Sequence, residues 1–131
     1  MKKTIALLGL CIILLAGCGG NSDSEAKGNN VKGIDDIDKE KAKNSIIQGA
    51  LDSNLLTNTA KEDYSKSDIV NIKMCEAYHI DHPTDGFEGN FIVFWETSDG
   101  KYEHNFIMKN DYEIENLANY ERLDDKCVNL D

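Results

Sequence analysis

Two alternating runs joined by Asp99-Gly100 constrain the fold of this chain more than any other feature. Phe87–Thr97 reads as one strand and Lys101–Lys109 as the next. An Asp-Gly pair between them is the signature of a two-residue hairpin turn, whose central residues need positive φ. So short a turn fixes the register: Trp95 faces His104, Val93 faces Phe106 and Phe91 faces Met108. One face then carries Phe91, Val93, Trp95, Tyr102, Phe106 and Met108. Such a face needs a helix to cover it. Ile92-Val93-Phe94-Trp95 is apolar on both sides, which places the first of these strands centrally in a sheet.

The flanking segments extend this reading. Ile69–Ile80 alternates, with Val70, Ile72, Met74, Tyr78 and Ile80 on one face and Glu76 as its single interruption. A bulge that turns Glu76 outward is the expected solution, because a buried carboxylate needs a partner. His82-Pro83-Thr84-Asp85-Gly86 is a turn. Tyr112–Tyr120 reads as a fourth strand and Glu121–Asp131 as a largely polar tail. Upstream, Asp35, Asp36 and Asp38 are helix-cap candidates. Ala42, Ile46, Ile47, Ala50, Leu51 and Leu55 follow at helical spacing, and Gly49 within the stripe permits close approach to a sheet. The expected fold is α+β: an N-terminal helix packed on a curved antiparallel meander of about four strands. This element order resembles the small cystatin-like and nuclear-transport-factor-two-like lipoprotein domains. No motif carries that likeness, so it implies no functional residue.

The first residues follow another logic. Lys2 and Lys3 precede the uncharged, apolar Ile5–Ala16. That run is too short for a membrane-spanning helix, which takes about 20 residues, but it suits a secretory signal. Leu15-Ala16-Gly17-Cys18 resembles the lipobox of bacterial lipoproteins. The resemblance implies cleavage after Gly17 and a lipid anchor on Cys18. Residues 1–17 are then the signal peptide, 18–34 the lipidated cysteine with a flexible tether, and 35–131 a single domain. Residues 19–34 are nearly devoid of apolar side chains and cannot offset their ordering entropy by burial. Gly19 after the cysteine implies the outer membrane, facing the periplasm, in a Gram-negative cell.

The net charge is −10, and residues 1–17 carry two lysines and no acid, so the mature chain is more acidic still. Such a surface repels nucleic acid and anionic headgroups and suits basic partners. Of four cysteines, Cys11 leaves with the signal and Cys18 takes lipid. Cys75 and Cys127 remain in an exported, oxidising setting and are expected to pair. The bridge would hold the tail across the outer face of the sheet, with Val128 and Leu130 beside Ile92 and Phe94.

Candidates for chemistry are few. His79, Asp81 and His82 cluster at a strand end as weak metal ligands, but their spacing matches no standard zinc signature. No nucleophile elbow or phosphate loop occurs. Cys75 and His79 stand about 13 Å apart on a strand, too far for proton transfer. Trp95, Phe106 and Glu76 are candidate binding residues, although aromatics at strand spacing are more often core. The reading is therefore a lipid-anchored envelope protein, not an enzyme and without a cofactor. Its domain binds another exported protein of basic character, as immunity and exclusion lipoproteins do. The alternative is a small-ligand site on the concave sheet face. An open pocket under the helix lined by Trp95 and Phe106 would favour the ligand. A sheet closed by packed side chains, with an exposed apolar edge, would favour the protein partner.

Overall fold

Helix α1 (Lys39–Leu51) starts at a capped end, where the Asp38 carboxylate accepts the Lys41 N–H at 3.0 Å. The cap satisfies one of the donors that a first turn leaves unpaired. Ala42, Ile46, Ile47 and Ala50 form the buried stripe. Asp52 and Ser53 end the helix, their N–H groups closing on Gln48 O and Ala50 O, and a short helix α2 (Asn54–Thr59) follows. The computed structural model describes residues 31–59 and 63–131. The expected signal peptide, Cys18 and residues 19–30 of the expected tether lie outside these. Val31–Asp131 make one compact unit.

Five strands follow: β1 (Ile69–His79), β2 (Phe87–Thr97), β3 (Glu103–Lys109), β4 (Ile114–Asn116) and β5 (Tyr120–Asn129). They form an antiparallel sheet in the order β4-β3-β2-β1-β5. The class is α+β, with two corrections. There are five strands rather than about four, and the helix begins at Lys39 rather than at the N-terminus. The segment read as one fourth strand, Tyr112–Tyr120, holds only the short β4, and the segment read as a tail is β5.

The predicted hairpin register holds at Trp95–His104, Val93–Phe106 and Phe91–Met108, but the turn is wider than two residues: Gly100 N–H closes on Thr97 O, and Gly100 takes positive φ whereas Asp99 does not. Register breaks elsewhere. Between Val70 and Lys73 the β1–β2 ladder shifts, at Asn71 with φ 52°. The shift changes which side chains point inward: Ile69 and Ile72 are buried, whereas Val70 is only partly so. Ile80, expected on the apolar face, is 52% exposed beyond the end of β1.

The sheet is curled. Leu117–Asn119 alone join β4 on one edge to β5 on the other. From Asn116 to Tyr120 an extended chain reaches about 14 Å, whereas four strand spacings of a flat sheet need about 19 Å. Consistently, β5 touches β2 as well as its ladder partner β1.

The main core lies between α1 and the sheet, where Ala42, Ile46 and Ala50 meet Met74, Phe91, Val93, Trp95, Phe106 and Met108. A Cβ at Gly49 would sit 3.2 Å from the Ile114 side chain, so the glycine does bring helix and sheet together. A smaller cluster on the outer face joins Ala77, Ile92 and Ile107, with Phe94 and Tyr120 against it. The Arg122 guanidinium lies 5.8 Å over the Phe94 ring. Val128 packs against the helix-side core and Leu130 is part of it, not beside Ile92 and Phe94 as expected, because the C-terminal segment pairs beside β1 instead of crossing the sheet.

Candidate functional site

Cys75 and Cys127 are directly opposed on β1 and β5 and are joined at an S–S distance of 2.08 Å. Below this bridge the ladder resumes at Ala77–Arg122, so Leu123–Lys126 bulge out opposite Glu76 alone. The disulfide thus fixes an edge strand whose own pairing is interrupted.

Glu76 is buried, contrary to the expected outward bulge. Its carboxylate accepts the Ile34 N–H at 2.8 Å, and Gly33 lies so close that a Cβ there would meet Oε1 at 3.0 Å. Next to it, Asn110 grips Lys32 on both sides: Oδ1 accepts the Lys32 N–H and Nδ2 donates to its carbonyl. The role of Glu76 is therefore to hold the segment entering α1. A backbone partner 42 residues away leaves no trace in sequence pattern.

Trp95 is 2% exposed and Phe106 is 4% exposed. Their rings pack at 5.9 Å under the helix, with His104 edge-on to both. The Trp95 Nε1–H is buried without a partner among the described residues. His79, Asp81 and His82 come together in the turn after β1. His79 Nδ1 accepts the Asp81 N–H at 3.2 Å, and its ring packs on His82 and on Tyr120. With that nitrogen engaged, the trio orders the turn. Among the described residues no group of three or more histidine, cysteine or acidic side chains is placed to hold a metal ion.

The most open feature lies elsewhere. A groove of about 810 Å³ runs between the C-terminal half of α1 and the β3–β4 edge. This is within the common range for binding sites, about 300–1,000 Å³. Gln48 and Asp52 line one wall, Ile114 and Asn116 the other, with Phe106 and His104 at its base. Tyr112 braces one end. It takes φ 74°, uncommon for a bulky residue and costing on the order of 1–3 kcal/mol. In that conformation its hydroxyl accepts the Asp38 N–H at 3.2 Å and its ring lies 4.4 Å beneath the Lys41 ammonium. The β3–β4 turn is thereby pinned to the start of α1. Sequence reading missed this groove, whose lining is dispersed over the helix, the loop after it and the edge strand.

The charged side chains that line the groove are acidic. Asp52 and Glu115 are its acids, and no lysine or arginine is among its lining residues. Glu115 binds Lys109, and this contact foremost raises the Lys109 pKa above the usual lysine range. At the far end of the sheet, Asp99 accepts bonds from the Thr97 and Tyr64 hydroxyls and the Lys101 N–H, and its pKa falls well below the usual carboxylate range.

No family model, no curated protein and no solved structure matches this chain.

Proposed function

We propose that this chain is a lipid-anchored envelope protein, held at the membrane by lipid on Cys18, whose domain is an interaction module for another exported protein of basic character. Immunity and exclusion lipoproteins supply the type of role. The observation that carries this reading is the contrast between a sealed core and an open edge. Trp95 does not line the groove and is almost wholly buried beneath α1, reaching only a smaller hollow of about 380 Å³ that it shares with Phe94, Glu96 and Glu103. The outer face is filled by its own Ile92, Phe94, Ile107 and Tyr120. By contrast the β4 edge presents partly exposed Ile114 and, just beyond it, Leu117 at 39% exposure. A packed core with apolar side chains at an open edge favours a macromolecular partner. The acidic charge favours a basic one through faster encounter and selectivity.

The test is affinity capture by the full lipidated chain from detergent-solubilised envelopes. The captured protein is then purified and titrated against the chain at rising salt. A defined exported protein that binds directly, more weakly as salt rises, supports the reading. Native mass spectrometry that instead finds a retained small molecule, with no protein captured, would replace it with the small-ligand alternative on the concave face.

A further inference from the structure

We propose that the free edge of β4, with the groove beside α1, is a strand-addition site that takes an extended basic segment of the partner protein. The inference rests on the interaction-module reading and specifies its surface.

The two edges of the sheet are not equivalent. β5 is blunted: Glu121, Arg122, Asp124, Asp125 and Lys126 crowd it, and its bulge breaks the line of backbone groups. Charges, bulges and short length all protect an edge against pairing; β5 has the first two, and β4 chiefly the last. β4 is short but open. Lys109 donates its N–H to Glu113 O, and Ile107 pairs with Glu115. Alternation along an antiparallel ladder directs the backbone groups of Glu115 towards β3 and those of Ile114 and Asn116 outward. A further strand would lie beside α1, whose Gln48 and Asp52 line the groove together with Ile114 and Asn116. Side chains alternating on an added strand would meet this lining, where β-strand addition finds its specificity.

Charge selects the occupant. The groove's charged side chains, Asp52 and Glu115, are both acidic, and because Lys109 already pairs with Glu115, Asp52 supplies the selecting charge. The last turn of α1 has no basic residue, so the negative end of the helix dipole is uncompensated there. A second copy of this chain fits poorly. Two copies, each of net charge −10, repel one another, whereas a basic segment is attracted.

The probe is a short peptide alternating lysine and valine, with a glutamate–valine peptide as its control, added to the isotope-labelled full chain in micelles. The lysine peptide slows amide exchange at Ile114 and Asn116 and shifts the Gln48 and Asp52 resonances; the glutamate peptide does neither. Asn116→Pro removes an outward N–H and abolishes the protection. Asp52→Lys favours the helix end electrostatically, keeps the fold and weakens the lysine peptide. Protection absent from β4, or confined to β5, overturns the proposal. So does β4 protection that appears without peptide and rises with protein concentration, which would mean self-association. Failure of the site and failure of the wider reading separate in the capture experiment. A partner held equally well by Asn116→Pro leaves the interaction module standing and removes β4 from it. β4 protection by the peptide with no partner captured from envelopes does the reverse.

Discussion

The Glu76 carboxylate, on the buried face of β1, accepts the backbone N–H of Ile34 at 2.8 Å and so ties the sheet to the segment that leads into α1. Glu76→Ala leaves that N–H without its acceptor in a buried place. The expected loss is about 1–3 kcal/mol in urea unfolding. Glu76→Gln keeps an acceptor oxygen and costs less. Amide exchange at Ile34 rises in the alanine variant. Equal stability of all three proteins would show that the contact holds nothing.

The second relationship is covalent. Cys75 and Cys127 close a loop of separation 52, worth about 4 kcal/mol in the chain-entropy description. Mass spectrometry of the freshly isolated protein without reductant recovers one peptide pair joined through these residues. The Cys75→Ala/Cys127→Ala variant unfolds at lower urea. Alkylatable thiols at both positions in freshly isolated protein contradict the pairing.

Much of the sheet was legible because short-range chemistry sets it. Asp99-Gly100 fixes the β2–β3 register without reference to the rest of the chain, and Trp95–His104 falls where it predicts. β5 was illegible for a physical reason. An edge strand with five charged side chains and a bulge at Leu123–Lys126 shows no alternation, so Tyr120–Asn129 passes for a tail. Asn71 hides in the same way, since one residue at positive φ shifts the inward face between Val70 and Ile72. Of the candidate site residues, the cysteine pair was readable from count and from the compartment that the first residues lead one to expect. Glu76 was not, because its partner is a main-chain N–H. The groove was not, because its walls meet only when Gly49 brings α1 against Ile114.

The stability that Asp99 lends the β2–β3 turn should fall away in acid. The Thr97 hydroxyl, then the Lys101 N–H, hold the Asp99 pKa below its ordinary 3.8. A carboxylate depressed in the folded state adds stability that is fully present above its unfolded pKa and is lost as pH falls through the folded one. Asp99→Asn keeps a turn-forming residue before Gly100 and removes the charge together with one of the two acceptor oxygens. The variant is less stable than the parent at pH 7, and the difference shrinks as pH drops below 3.8. Melting curves taken from pH 7 down to pH 2 read it. A difference that stays constant over that range contradicts the assignment.

The account as a whole depends on Cys18, since an interaction module needs a membrane address to be an envelope protein. Radiolabelled palmitate fed to cells expressing the parent chain or Cys18→Ser tests this most directly, with both products sized on a gel. The account predicts label on the parent, at the size left by cleavage after Gly17, and an unlabelled, uncleaved Cys18→Ser chain. A Cys18→Ser chain that is cut after Gly17 and still carries label would contradict it.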